Sequence, residues 1–110
     1  MATWLNSADG STVTLRPSRV LFIDGEAHAF GRLDRPGREE FRLSSPALEV
    51  AEKDGAIHIR TRSRTYVCAG QDAVLPVGAS AQLREFLTAW AIPTEQWPEI
   101  LAQLGSQSNC

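Results

Sequence analysis

Residues 19–30 read Arg19-Val20-Leu21-Phe22-Ile23-Asp24-Gly25-Glu26-Ala27-His28-Ala29-Phe30. Two strand-like runs flank an Asp-Gly pair, the dipeptide that best accepts the positive φ angles of a two-residue hairpin turn. Pairing outward from that turn puts Val20, Phe22, Ala27 and Ala29 on one face. The other face takes Arg19, Leu21, Ile23, Glu26, His28 and Phe30. Large apolar groups occur on both, so this hairpin is expected at the centre of the fold, covered on each side by a helix, a second sheet layer or a partner chain.

The same signal recurs on either side. Asp9-Gly10, Asp54-Gly55 and the turn Asp34-Arg35-Pro36-Gly37 separate apolar or alternating runs. Counting outward from them gives strands near residues 3–7, 11–16, 19–23, 26–31, 39–44, 47–52, 56–62 and 65–69. Consecutive hairpins imply an antiparallel meander. Around Asp54-Gly55 the register pairs Glu52 with Ile57, Val50 with Ile59 and Leu48 with Thr61, a mostly apolar face. The reverse face holds Glu49 opposite Arg60 and Ala51 opposite His58. That hairpin is expected to turn one side to the core and the other to water.

After Gly70 the period changes from two to three and four. Leu83, Phe86, Leu87 and Trp90 make a helical stripe, with Ser80 expected as its N-cap and Pro93 ending it. Trp97, Ile100, Leu101 and Leu104 make a second, with Thr94 or a neighbour capping, Pro98 in the first turn and Gly105 past the end. Helices of about ten residues are marginal alone, so both must lie on the sheet. The expected fold is therefore α+β: an antiparallel β-meander of about seven or eight strands, as a twisted sheet or partly open barrel, with two short C-terminal helices packed on it. Residues 1–105 form one domain and 106–110 a flexible tail. Seven or eight strands followed by a helix, opening on the hairpin loop Ser7-Ala8-Asp9-Gly10, resembles a pleckstrin-homology-like barrel in architecture. That resemblance implies a basic first loop where phosphoinositides bind, and this loop carries no positive charge.

Composition removes several function classes. The chain has 110 residues, 43% hydrophobic and 22% charged, with a net charge of −2. That balance is ordinary for one globular domain and offers no electrostatic footprint for nucleic acid or an acidic membrane. The ten basic and ten acidic residues of 1–73 cancel, leaving Arg84 against Glu85, Glu95 and Glu99 in the remainder. Ten arginines to the single Lys53 suggest a GC-rich bacterial coding sequence. Cys68 and the terminal Cys110 are the only cysteines, a poor disulfide framework, so a reducing cytoplasm is the expected setting. Neither a signal peptide nor an apolar run of 18 residues is present, so no membrane segment is expected.

No catalytic set emerges, and the reading leans away from an enzyme. Gly78-Ala79-Ser80-Ala81-Gln82 resembles the nucleophile elbow of serine hydrolases, but Gln82 stands where that turn needs glycine and no histidine follows His58. His28 and His58 lie far apart and no CxxC occurs, so neither a metal nor a cofactor is expected. Glu39 and Glu40 are adjacent on a strand and point to opposite faces. One constellation survives. His58, Arg60, Arg62 and Arg64 alternate, and on a regular strand they would project together at ~6–7 Å intervals, able to bind phosphate or carboxylate. The competing reading is a salt-bridged solvent face. Two functions follow. One is a non-catalytic binding or self-association module, a homodimer being the first expectation, with Leu21, His28, Phe30, Trp90 and Trp97 as interface candidates. The other is a small-ligand or anion-binding protein, or a minor enzyme, with a pocket between sheet and helices rimmed by the arginines.

Overall fold

The computed structural model describes residues 11–34, 40–62, 64–70, 73–76 and 78–105. The strand expected over 3–7, the Asp9-Gly10 turn, residues 35–37 and the 106–110 tail lie outside the described residues. Six strands form one sheet: β1 (Ser11–Ile23), β2 (Glu26–Leu33), β3 (Phe41–Leu43), β4 (Glu49–Lys53), β5 (Ala56–Arg60) and β6 (Arg64–Cys68). Two short helices follow, α1 (Ala79–Ala89) and α2 (Trp97–Ala102), the second entered through a 3₁₀ turn at Thr94–Gln96. The α+β class is as expected. Among the described residues the strands number six, where seven or eight were expected for the chain, and the sheet is mixed rather than antiparallel.

Both differences have a physical origin. The two strands expected at 11–16 and 19–23 are one strand, β1, with a bulge at Arg16-Pro17 where the register shifts between Leu15 and Ser18. Proline cannot donate to a ladder, and a bulge, where the register slips, is the place inside a strand that tolerates it. Before the bulge β1 pairs with β6, from Ser11↔Arg64 to Leu15↔Cys68. On its other edge β1 pairs with β2 on both sides of the bulge, from Leu15↔Leu33 to Ile23↔Glu26. The sheet order is β3-β2-β1-β6-β5-β4. Its two ends belong to one continuous run, because Ser44 and Ala47 donate to Ala29 and Ala27 of β2 while Leu48 donates to Arg60 of β5. With β3 and β4 as a single wall strand, five strands wind round. An odd meander returns in the direction it began, so the closing pair, β1 and β6, has to be parallel. This seam separates the fold from the all-antiparallel meander implied by a pleckstrin-homology-like architecture.

Inside the curl lie Leu15, Ala29, Leu33, Ile59, Tyr66 and Cys68. Gly31 belongs here for want of space: a Cβ on it would stand 2.6 Å from the Pro17 carbonyl oxygen. Outside, the helices cover Leu21, Ile23, Phe30, Phe41 and Leu43 with Leu83, Leu87, Ile100 and Leu104. The central hairpin is thus covered by helices on one face, while on the other the curled sheet buries Ala29 but leaves Phe22 exposed, so the second face is covered only in part. Each apolar cluster removes several side chains from water, worth roughly 1.5–3 kcal/mol per large residue.

The helices are tied to the sheet by two polar clasps. Arg19 donates from Nε to the Leu104 carbonyl at 2.9 Å and from Nη2 to that of Ala73 at 2.8 Å. Gln103 receives the Phe22 N–H on Oε1 at 2.7 Å and donates from Nε2 to the Phe22 carbonyl at 2.8 Å. Ser80 is not the N-cap of α1. Gly78 holds that place with φ 99°, no side chain caps the end, and Ser80 sits within the first turn. Pro98 opens α2 and Gly105 follows it with φ 69°, as the spacing indicated.

Candidate functional site

α1 ends in a Schellman turn: Ala91 donates to Thr88 and Ile92 to Leu87, with Ala91 left-handed at φ 58°. A β-carbon is costly in that conformation, so the turn holds Trp90 and Ile92 in place under strain. They face the tip of the β1–β2 hairpin across a cleft of about 410 Å³. The hairpin contributes Ile23, Asp24, Glu26 and His28, and the bend after β3 adds Ser45 and Pro46.

His28 forms the floor. It is only 3% exposed, yet it lines the cleft. Its Nδ1 lies 2.9 Å from the Ser44 carbonyl. A carbonyl can only accept, so Nδ1 carries the proton, and in the neutral ring Nε2 is left with a lone pair. No described residue hydrogen-bonds Nε2. It is not sealed off either, since every fully buried side-chain nitrogen or oxygen among the described residues has a partner. The open space that His28 meets is this cleft. Trp90 leans over the imidazole with ring centroids 5.3 Å apart and planes at 54°, while remaining 37% exposed. Asp24, fixed at φ 54° in the turn, and Glu26 add two exposed carboxylates. No arginine, lysine or second histidine is among the lining residues.

The residues singled out in the sequence fall elsewhere in part. Leu21 and Phe30 are fully buried beneath the helices and present no surface to a partner. Trp97 is half-buried, with its indole N–H donated to the Ile92 carbonyl at 3.0 Å. Only His28 and Trp90 of the five come together at open space. The four-residue ladder is interrupted. β5 stops at Arg60, Thr61 takes the Arg64 carbonyl and Arg64 N–H in a tight return, and Arg62 stands in that turn. Arg64 opens β6 in phase with Tyr66 and Cys68, which face inward, whereas Arg60 pairs with Thr65. His58 and Arg60 alone share a strand face, and Arg60 binds Glu49 at 3.0 Å.

Cys68 is buried beside Leu15 and Ile57 in the ladders, and desolvation pushes its thiol up to about 11 against a weaker opposing hydrogen bond with Ser18. A thiol so held is a core group rather than a nucleophile. Among the described residues no cluster of three His, Cys, Asp or Glu side chains is placed to hold a metal, and no helix is long and apolar enough to cross a membrane. The hairpin register made His28 and Trp90 legible as candidates, but nothing local in sequence links Asp24 and Glu26 to Trp90. The chain matches no protein-family model, no curated protein and no solved structure.

Proposed function

We propose that this chain is a non-catalytic binding module whose site is the cleft between the β1–β2 hairpin tip and the end of α1. The observation that carries this reading is a nearly buried histidine whose Nε2 has no hydrogen-bond partner among the described residues and which lines a cleft of ligand size. An accessible acceptor on the floor of a concave site is met by water until a ligand group replaces that water. The test is a set of small polar fragments of every charge type, titrated into the ¹⁵N-labelled full chain. Shifts confined to Asp24–His28, Ser45 and Trp90–Ile92 are expected. Shifts spread evenly over the surface, or none, would reject the site.

Self-association is the second reading, favoured by a separate observation. Phe22 (57%), Leu48 (55%) and Val50 (53%) are large apolar side chains left exposed. Past Ala47 no backbone hydrogen bond among the described residues joins β4 to β2, so the two hairpins diverge and their inward faces open near the tips. Antiparallel pairing of β4 with its copy about Ala51 would set Glu49 opposite Lys53. A monomeric mass by light scattering at high concentration would retire this reading and leave the cleft untouched.

A further inference from the structure

Resting on that reading of the cleft, we propose that its ligand is an organic cation that still carries N–H donors. An alkylammonium or guanidinium group fits, whether on a free amine or on a lysine or arginine side chain.

The first reason is the floor. In the neutral imidazole, with the proton held on Nδ1 of His28 by the Ser44 carbonyl, the other ring nitrogen accepts and does not donate. An occupant without a donor would strip Nε2 of water and give nothing back. The second reason is charge. Neither Asp24 nor Glu26 forms an ion pair with a described residue, whereas Glu49, Glu40 and Asp34 are each held by an arginine. With no basic group on the lining, the field in the cleft is negative, which disfavours carboxylate or phosphate. The third reason is the wall. Trp90 keeps over a third of its surface open beside His28, and an indole face attracts a cation within about 6 Å.

These features act on different parts of one group. The carboxylates and the indole recognise positive charge, and Nε2 recognises an N–H. Guanidinium and primary ammonium meet both demands. A tetraalkylammonium meets only the first, and a neutral amide only the second. The volume of about 410 Å³ suits a head group with a short alkyl stem rather than a large cofactor.

The experiment uses the full chain with butylguanidinium, butylammonium, tetramethylammonium and butyrate, followed by the Trp90 indole N–H and the backbone amides. The two N–H cations are expected to shift cleft residues, with butyrate silent and tetramethylammonium weaker. Asp24→Asn combined with Glu26→Gln is expected to weaken butylguanidinium by roughly fivefold or more, since a charged hydrogen-bond partner is lost at partly exposed positions. Both positions are exposed and asparagine accepts the turn conformation, so the variant keeps the fold. Blocked tripeptides Gly-Arg-Gly and Gly-Gln-Gly separate the sources. Binding of the first alone points to a side chain of a partner, and binding of butylguanidinium without either peptide points to a free amine.

Butyrate binding as tightly as butylguanidinium, tetramethylammonium equalling it, or indifference to the double variant overturns the proposal. If neutral or anionic fragments shift the cleft and cations do not, the ligand class fails while the cleft reading stands. If no fragment of any charge moves these residues, the cleft reading itself fails.

Discussion

The Asp24-Gly25 and Asp54-Gly55 hairpins have the same turn, with φ 54° at each aspartate and 79° at each glycine. Their surroundings are opposite. The first is buried on its helix-facing side at Leu21, Ile23, His28 and Phe30, and on its other side Ala29 lies inside the curl while Phe22 at the tip stays 57% exposed. The second buries Ile59 inward but leaves Val50, on the same face and directly opposite it, 53% exposed. A turn is decided by two residues and their neighbours. Burial is decided by what arrives from elsewhere in the chain, and β4 sits at the end of the sheet order where nothing described lies beyond it.

The comparison can be pressed hardest in the core. Phe30, stacked on Phe41 at 5.6 Å, should cost ~3–5 kcal/mol when replaced by alanine, read by chemical denaturation. Val50→Ala should cost under ~1 kcal/mol. Equal losses would mean that the β4 face is covered in solution, which is what the dimer reading requires. Next comes Cys68, across from Ile57 of the second hairpin. Its folded-state value of about 11 lies above the unfolded one near 9, so burial favours the neutral thiol. That stabilisation is complete below pH 9 and is lost as pH rises towards 11, by ~2–3 kcal/mol in all. Cys68→Ala should flatten this fall. Alkylation by iodoacetamide at pH 8 should be slow until the chain is unfolded.

The turns test equivalence rather than difference. Gly25→Ala and Gly55→Ala should each cost ~1–2 kcal/mol from the left-handed backbone alone, because a Cβ meets nothing within 4 Å at either place. A clear inequality would show that one turn is held by tertiary contacts. The smallest effect is expected at the Glu49–Arg60 pair, which is 38% and 47% exposed on its arginine and carboxylate sides. A double-mutant cycle there should return ~0.2–1 kcal/mol, falling with added salt.

The contrast also explains what could be read in advance. The hairpin registers around Asp24-Gly25 and Asp54-Gly55, and the two helical stripes, depend on neighbours within a dozen residues, and alternation reports them directly. Three features escape that alternation. The strands expected at 11–16 and 19–23 are separated by Pro17, and the β1–β2 register shows that the proline sits in a bulge of one strand. Ser80 has the right chemistry for a cap, yet Gly78 takes the position two residues earlier. The arginine alternation was real in sequence and ended in space, because the return at Thr61–Arg64 reverses the chain before the third arginine. The site is half legible in sequence: His28 and Trp90 stand out as interface candidates, while Asp24 is accounted for by the turn and Glu26 by the strand face beside it.

The carboxamide of Gln103, which meets both the N–H and the carbonyl of Phe22, presents to β1 what one peptide unit of a neighbouring strand would present. Among the described strands none pairs with β1 on that side beyond its bulge, and the Gln103 side chain occupies the margin at Phe22. The described sheet is asymmetric towards strand addition: an incoming segment finds Phe22 already engaged, and finds no described strand on the outer margin of β4. If another chain ever extends this sheet, it has one direction from which to come.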